Sequence, residues 1–148
     1  MRMKAWIAAA LSAGGLVASL VALAALLRVS PATAAGLVLP AAGWMALVLG
    51  AASALQLALH VALASLRAGQ ARGLRSGASF VAACAIVYAG TRGLSALVPP
   101  AAVPLSNLFN APAMAVLAAA MLATLSAVAL VALALQAATR PRNPGTAR

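Results

Sequence analysis

Long apolar runs, broken only by short stretches marked with arginine or proline, set the frame of this chain. The first runs from Ala5 to Leu27, preceded by Arg2 and Lys4 and closed by Arg28. A second extends from Ala41 to about Leu66 and ends at Arg67. A third covers Ala78 to about Val98, interrupted by Thr91 and Arg92 and stopped by Pro99 and Pro100. A fourth goes from Pro112 to Ala138. A helix that crosses a bilayer needs about 20 apolar residues, and each run is long enough. The pattern predicts an all-α integral membrane protein: four transmembrane helices, close to 5–27, 41–66, 78–98 and 112–138, in one up-down bundle, followed by a basic, mobile tail at 139–148.

The breaks carry their own signals. Pro31 and Pro40 bracket the first connection, and Pro40 reads as a first-turn proline, where its missing N–H costs nothing. Arg67, Arg72 and Arg75 share the middle break with Gly69, Gly73 and Gly77, which predicts a loop there. The connection from Pro99 to Asn110 is too apolar for an ordinary solvated loop and predicts a segment lying in the interface or against a partner. Asn110, followed by Ala111 and Pro112, reads as an N-cap with proline in the first helical turn. Ala32-Thr33-Ala34 after a basic start has the outline of a signal-peptide cleavage site. The apolar run exceeds the usual core of ~7 to 15 residues, so a retained first span is expected.

Composition sharpens the picture. The 148 residues are 66% hydrophobic and 7% charged, with ten Lys or Arg and no Asp or Glu. A soluble domain carries roughly 25% charged residues. Without a carboxylate the chain cannot supply its own carboxylate base, metal ligand or proton carrier, and no enzymatic activity is expected. Paired cysteines and an intramembrane glutamate, on which small four-span thiol oxidoreductases and multidrug antiporters rest, are absent. The basic residues cluster at span ends, which points to anionic lipids or acidic partner residues and not to nucleic acid.

Orientation follows from where the cations fall. Arg2, Lys4, Arg67, Arg72, Arg75, Arg140, Arg142 and Arg148 lie on one side of a four-span arrangement, and only Arg28 and Arg92 lie towards the other. Both termini are therefore expected in the cytoplasm, with a bacterial inner membrane, or an organelle membrane, as the location.

Polar residues inside the spans are the candidates for function. Ser53, Gln56 and His60 form a stripe on the second helix at helical spacing. His60 is the sole histidine, able to act as a haem ligand, quinone contact or proton relay, or simply to hydrogen-bond within its helix. A haem held between two histidines would need the second from another chain, and no cofactor is expected. Cys84, Tyr88, Arg92 and Ser95 form a second stripe on the third helix. Arginine at a helix centre costs ~2.5 to 3.5 kcal/mol on insertion scales, offset by snorkelling to headgroups or by an acidic residue on a neighbour. Small residues at Gly15 and Ser19, at Ala46 and Gly50, and at Ala85, Ala89 and Gly93 could permit close helix contact. Trp6 and Trp44 read as interfacial anchors. The run Asn110 to Ala113 holds the letters of the water-channel signature in the wrong order and carries no weight.

These features favour a non-catalytic accessory or structural subunit of a larger membrane complex, energy-transducing or transporting. Its contacts to acidic membrane partners or anionic lipid are expected at Arg92, Tyr88, Gln56, Arg67, Arg72 and Arg75. A holin-like pore-former and a cofactor-holding subunit using His60 are the alternatives.

Overall fold

Alanine and leucine dominate the apolar runs, and hydrocarbon offers the backbone no hydrogen-bond partner, so each run closes its bonds on itself as a helix. The computed structural model describes residues 2–64, 71–98 and 102–139, leaving out side chains at 2, 4, 63, 64, 71, 72 and 105. Its helices are α1 (Arg2–Val29), α2 (Pro31–Ala64), α3 (Ala71–Leu97) and α4 (Ala111–Ala138). All four are long and apolar enough to cross a membrane, and there is no strand among the described residues. The chain is an integral membrane protein by this architecture, as the run lengths predict.

Two helix starts differ from expectation. The second helix begins at Pro31, not near residue 41: the Ser30 N–H donates to the Leu26 carbonyl at 2.8 Å, and the Ala34 N–H donates to the Ser30 carbonyl at 3.0 Å. Ser30 alone separates α1 from α2. Pro31, not Pro40, takes the first-turn position where a missing N–H is harmless. Pro40 sits inside the helix, where the residue one turn back is Gly36; interior prolines are tolerated in membrane helices. The third helix begins at Ala71, so Arg72, Gly73, Arg75 and Gly77 are helical and not loop. Gly77 is used there for close approach: a Cβ on it would meet Leu57 Cδ1 at 2.9 Å. The fourth helix starts as read, with the Asn110 side chain accepting from the Ala113 N–H at 2.9 Å. A single 3-10 turn, Leu105–Asn107, interrupts the connection before it.

The bundle is inside-out relative to a soluble one. Its buried positions are small: Ala34, Ala46, Ala83, Cys84, Ala113, Ala120 and Ala132, with Val116 and Val128 the largest of the fully covered side chains. Leucine, methionine, valine and tryptophan point outward, Trp6 at 75% exposure and Phe109 at 86%. With lipid as solvent there is no hydrophobic drive to hide them, and small interior residues let the backbones close up.

Close approach occurs at defined points. On α2, positions 43, 50 and 57 face positions 91, 84 and 77 of α3, so each heptad forward on one helix meets a heptad back on the other. A Cβ at Gly50 would lie 3.1 Å from Cys84 Cβ, and one at Gly43 would lie 3.2 Å from Thr91 Oγ1. This is an antiparallel seam. Helix α1 packs chiefly on α4, where a Cβ at Gly15 would meet Ser126 Oγ at 2.7 Å. Helix α4 contacts all three others. One cluster joins Ala83 and Cys84 to Val128 and Ala132; another joins Leu23, Ala34 and Val116. The spacing of Gly15 with Ser19 and of Ala46 with Gly50 thus serves packing. Ala85, Ala89 and Gly93 instead face outward, with nothing near Gly93.

Candidate functional site

Two grooves open along the α2/α3 seam, one on each side of the Gly50 and Cys84 contact. The heptad register that brings glycine against small residues at the seam leaves the flanking polar residues at its two ends.

The inner groove, about 440 Å³, is lined by Ser53, Gln56, Leu57, His60, Gly73, Ser76, Gly77 and Phe80. The whole Ser53, Gln56, His60 stripe lies in it. His60 Nδ1 is 2.8 Å from the Gln56 carbonyl one turn back. A carbonyl only accepts, so Nδ1 carries the hydrogen, and in neutral imidazole Nε2 is left with its lone pair. The Gln136 amide of α4 donates to Ser76 Oγ at 3.3 Å, tying α4 to the same end. His60 lies about 20 Å from the centre of the Pro31–Ala62 span at about 1.5 Å per residue. That is beyond the ~15 Å half-thickness of the hydrocarbon, so this groove ends at the interface, within reach of water.

The outer groove, about 410 Å³, is lined by Leu39, Pro40, Gly43, Trp44, Leu47, Tyr88, Thr91, Arg92, Ser95 and Ala96. Tyr88, Arg92 and Ser95 come together here as their spacing implies. Cys84 does not join them; it is buried against Gly50. The Thr91 hydroxyl donates to the Tyr88 carbonyl and the Ser95 hydroxyl to the Thr91 carbonyl, each at 2.8 Å. Their oxygens remain acceptors, and Arg92, Tyr88 and the Trp44 indole N–H are donors with no hydrogen-bond partner among the described residues. Among the described residues nothing hydrogen-bonds the Arg92 guanidinium. Arg92 lies about 10 Å from the centre of the Gly73–Leu97 span at about 1.5 Å per residue, less than the ~15 Å half-thickness of hydrocarbon.

Trp44, an interfacial anchor if the second span starts near residue 41, lies well inside a helix that begins at Pro31. Trp44 therefore lies about 4 Å from the centre of its span. It stands as a ridge, with the outer groove on its α3 side and an apolar groove of about 660 Å³ on its α4 side. Trp6, near the start of α1, keeps a position suited to the interface.

The remaining cations divide. Arg75 is exposed near the inner end of α3, its carbonyl accepting from the Ser79 hydroxyl at 2.9 Å. Arg67, the 140–148 tail and the Arg72 side chain lie outside the described residues. Gln56 and Arg92, though on facing helices, belong to different grooves. Single-helix reading missed Ser76 and the glycine floor of the inner groove, and Pro40 and Gly43 in the outer one. The repeat of small residues at 43 and 50 against 77, 84 and 91 was the available signal. No protein-family model, curated protein or solved structure matches this chain.

Proposed function

We propose that this chain is a non-catalytic accessory or structural subunit of a larger membrane complex, held in a bacterial inner membrane with both termini in the cytoplasm. The observation that supports it most is a cation at hydrocarbon depth in a chain with no carboxylate: Arg92 has no acidic residue anywhere in the sequence to meet. Energy transduction and transport are the activities proposed for such a complex. Mild-detergent purification through a tag, with co-purifying chains identified by mass, tests the reading. Stoichiometric recovery of integral-membrane partners carrying acidic residues is expected; a lone, monodisperse bundle overturns it. Orientation is checked by introducing cysteine at Met3 and, separately, at Asn107. An impermeant reagent applied from outside is expected to reach only the second.

A second reading, a cofactor-holding subunit, is favoured by one observation. The bond from His60 to the Gln56 carbonyl leaves Nε2 as a basic atom at the rim of the inner groove, the arrangement by which a histidine ligand is oriented. Absorbance of the purified assembly in the haem region distinguishes the two readings.

A further inference from the structure

We infer that the outer groove is the docking site for a membrane-spanning helix of a partner subunit, and that this helix presents one Asp or Glu to Arg92. The inference rests on the subunit reading and adds to it the place, the depth and the chemistry of the contact.

Few sources of negative charge can reach Arg92. A second copy of this chain cannot supply one, because the sequence contains no Asp or Glu. Lipid phosphate lies about 20 Å from the bilayer centre, half of the ~40 to 45 Å that includes the headgroups. Arg92 branches from α3 about 10 Å below that plane, so a snorkelling side chain would have to extend fully and leave the groove wall that it forms between α2 and α3 to meet one. Of the backbone carbonyls beside it, those of Tyr88 and Thr91 already accept hydroxyl hydrogens of Thr91 and Ser95, and no carbonyl brings negative charge to a guanidinium. A carboxylate is the group that matches a guanidinium fork with paired hydrogen bonds, and Tyr88, one turn away on the same face, offers a further donor.

The groove suits a helix. Gly43, Ser95 and Ala96 are small and let a neighbouring backbone approach, while Trp44 and Leu47 supply apolar contact on the α2 side. The acid on the partner is therefore expected at the level of Arg92, about 10 Å to the outer side of the membrane centre, within an otherwise apolar span.

The test uses the tagged, full-length chain expressed in its native membrane. A photoreactive phenylalanine in place of Leu47 is expected to cross-link to a co-purifying membrane subunit at a span bearing Asp or Glu. Arg92→Ala is expected to lower recovery of that subunit about tenfold or more, as loss of one member of a desolvated charge pair does. Arg92→Lys should retain a substantial part of it, and Arg28→Ala, which removes an exposed cation at the end of α1, should leave recovery unchanged. Exchange of charges, Arg92→Asp with the partner's acid changed to Arg, should restore binding lost in either single variant. If partners co-purify with Arg92→Ala at wild-type yield, and position 47 cross-links to lipid or to nothing, the docking site is overturned while the subunit reading stands. If the wild-type chain recovers no partner, both fall. Should Arg92→Ala fail to accumulate, the position-47 cross-link and the Lys variant decide: a cross-link to a span without an acid overturns the proposal.

Discussion

The two grooves of the α2/α3 seam are built from the same pair of helices, yet equal polarity has unequal consequences at their different depths. The inner groove holds Ser53, Gln56, His60 and Ser76 and reaches the end of its span, where water can complete whatever the chain leaves open. The outer groove places a full charge about 10 Å from the centre of its span, where nothing among the described residues hydrogen-bonds it. On the proposed reading, position along the membrane normal, more than residue type, separates a tolerated polar patch from a docking surface.

Both grooves depend on one contact between them, and breaking it should have the largest effect. A Cβ at Gly50 already lies 3.1 Å from Cys84 Cβ, so Gly50→Leu should overpack the seam at a cost of about 1 to 3 kcal/mol. Thermal unfolding in detergent should show a clear drop in Tm for this variant. An unchanged Tm removes the shared foundation of the two sites.

The contrast in depth can be read by thiol chemistry in a Cys84→Ala background. His60→Cys should react with an impermeant maleimide from the cytoplasmic side roughly tenfold or more faster than Arg92→Cys reacts from the opposite side, since the reagent needs a thiolate, which hydrocarbon disfavours. Equal rates would place both grooves in the same medium. Smaller effects belong to the inner groove alone. Gln136→Leu removes the bond to Ser76 and should cost about 0.6 kcal/mol, the average for interhelical hydrogen bonds in membranes; chemical denaturation in mixed micelles measures it. Least affected should be His60→Gln, with stability within about 0.5 kcal/mol of wild type and partner recovery unchanged. Loss of a haem band in that variant favours the cofactor reading instead.

The four spans were legible because length and apolarity are local, one-dimensional properties, and Asn110 was legible because a cap is made within one turn. Proline was ambiguous: both Pro31 and Pro40 fit a helix start, and only the pairing of Ser30 with Leu26 and Ala34 shows that the first is used. That choice also moved Trp44 away from the interface. The grooves themselves are a matter of register between helices. A stripe such as Ser53, Gln56 and His60 announces that it needs company, but Ser76 and Gly77 become its neighbours only when Gly50 meets Cys84. Glycines in the arginine-rich break likewise suggested a loop, although Gly77 is there to admit Leu57.

Chain connectivity and packing disagree at α1, and the disagreement has a consequence for how the protein is made. Ser30 ties α1 directly to α2, but α1 rests mainly on α4, which leaves the ribosome after the other three. The two are separated by about 110 residues, or about 5 to 20 seconds of synthesis. For that interval the first hairpin waits in the membrane with Gly15 uncovered, open to chaperones, to insertion factors and to the wrong neighbours. Arrival of Ser126 ends that exposure, so α1 is sealed into the bundle by α4.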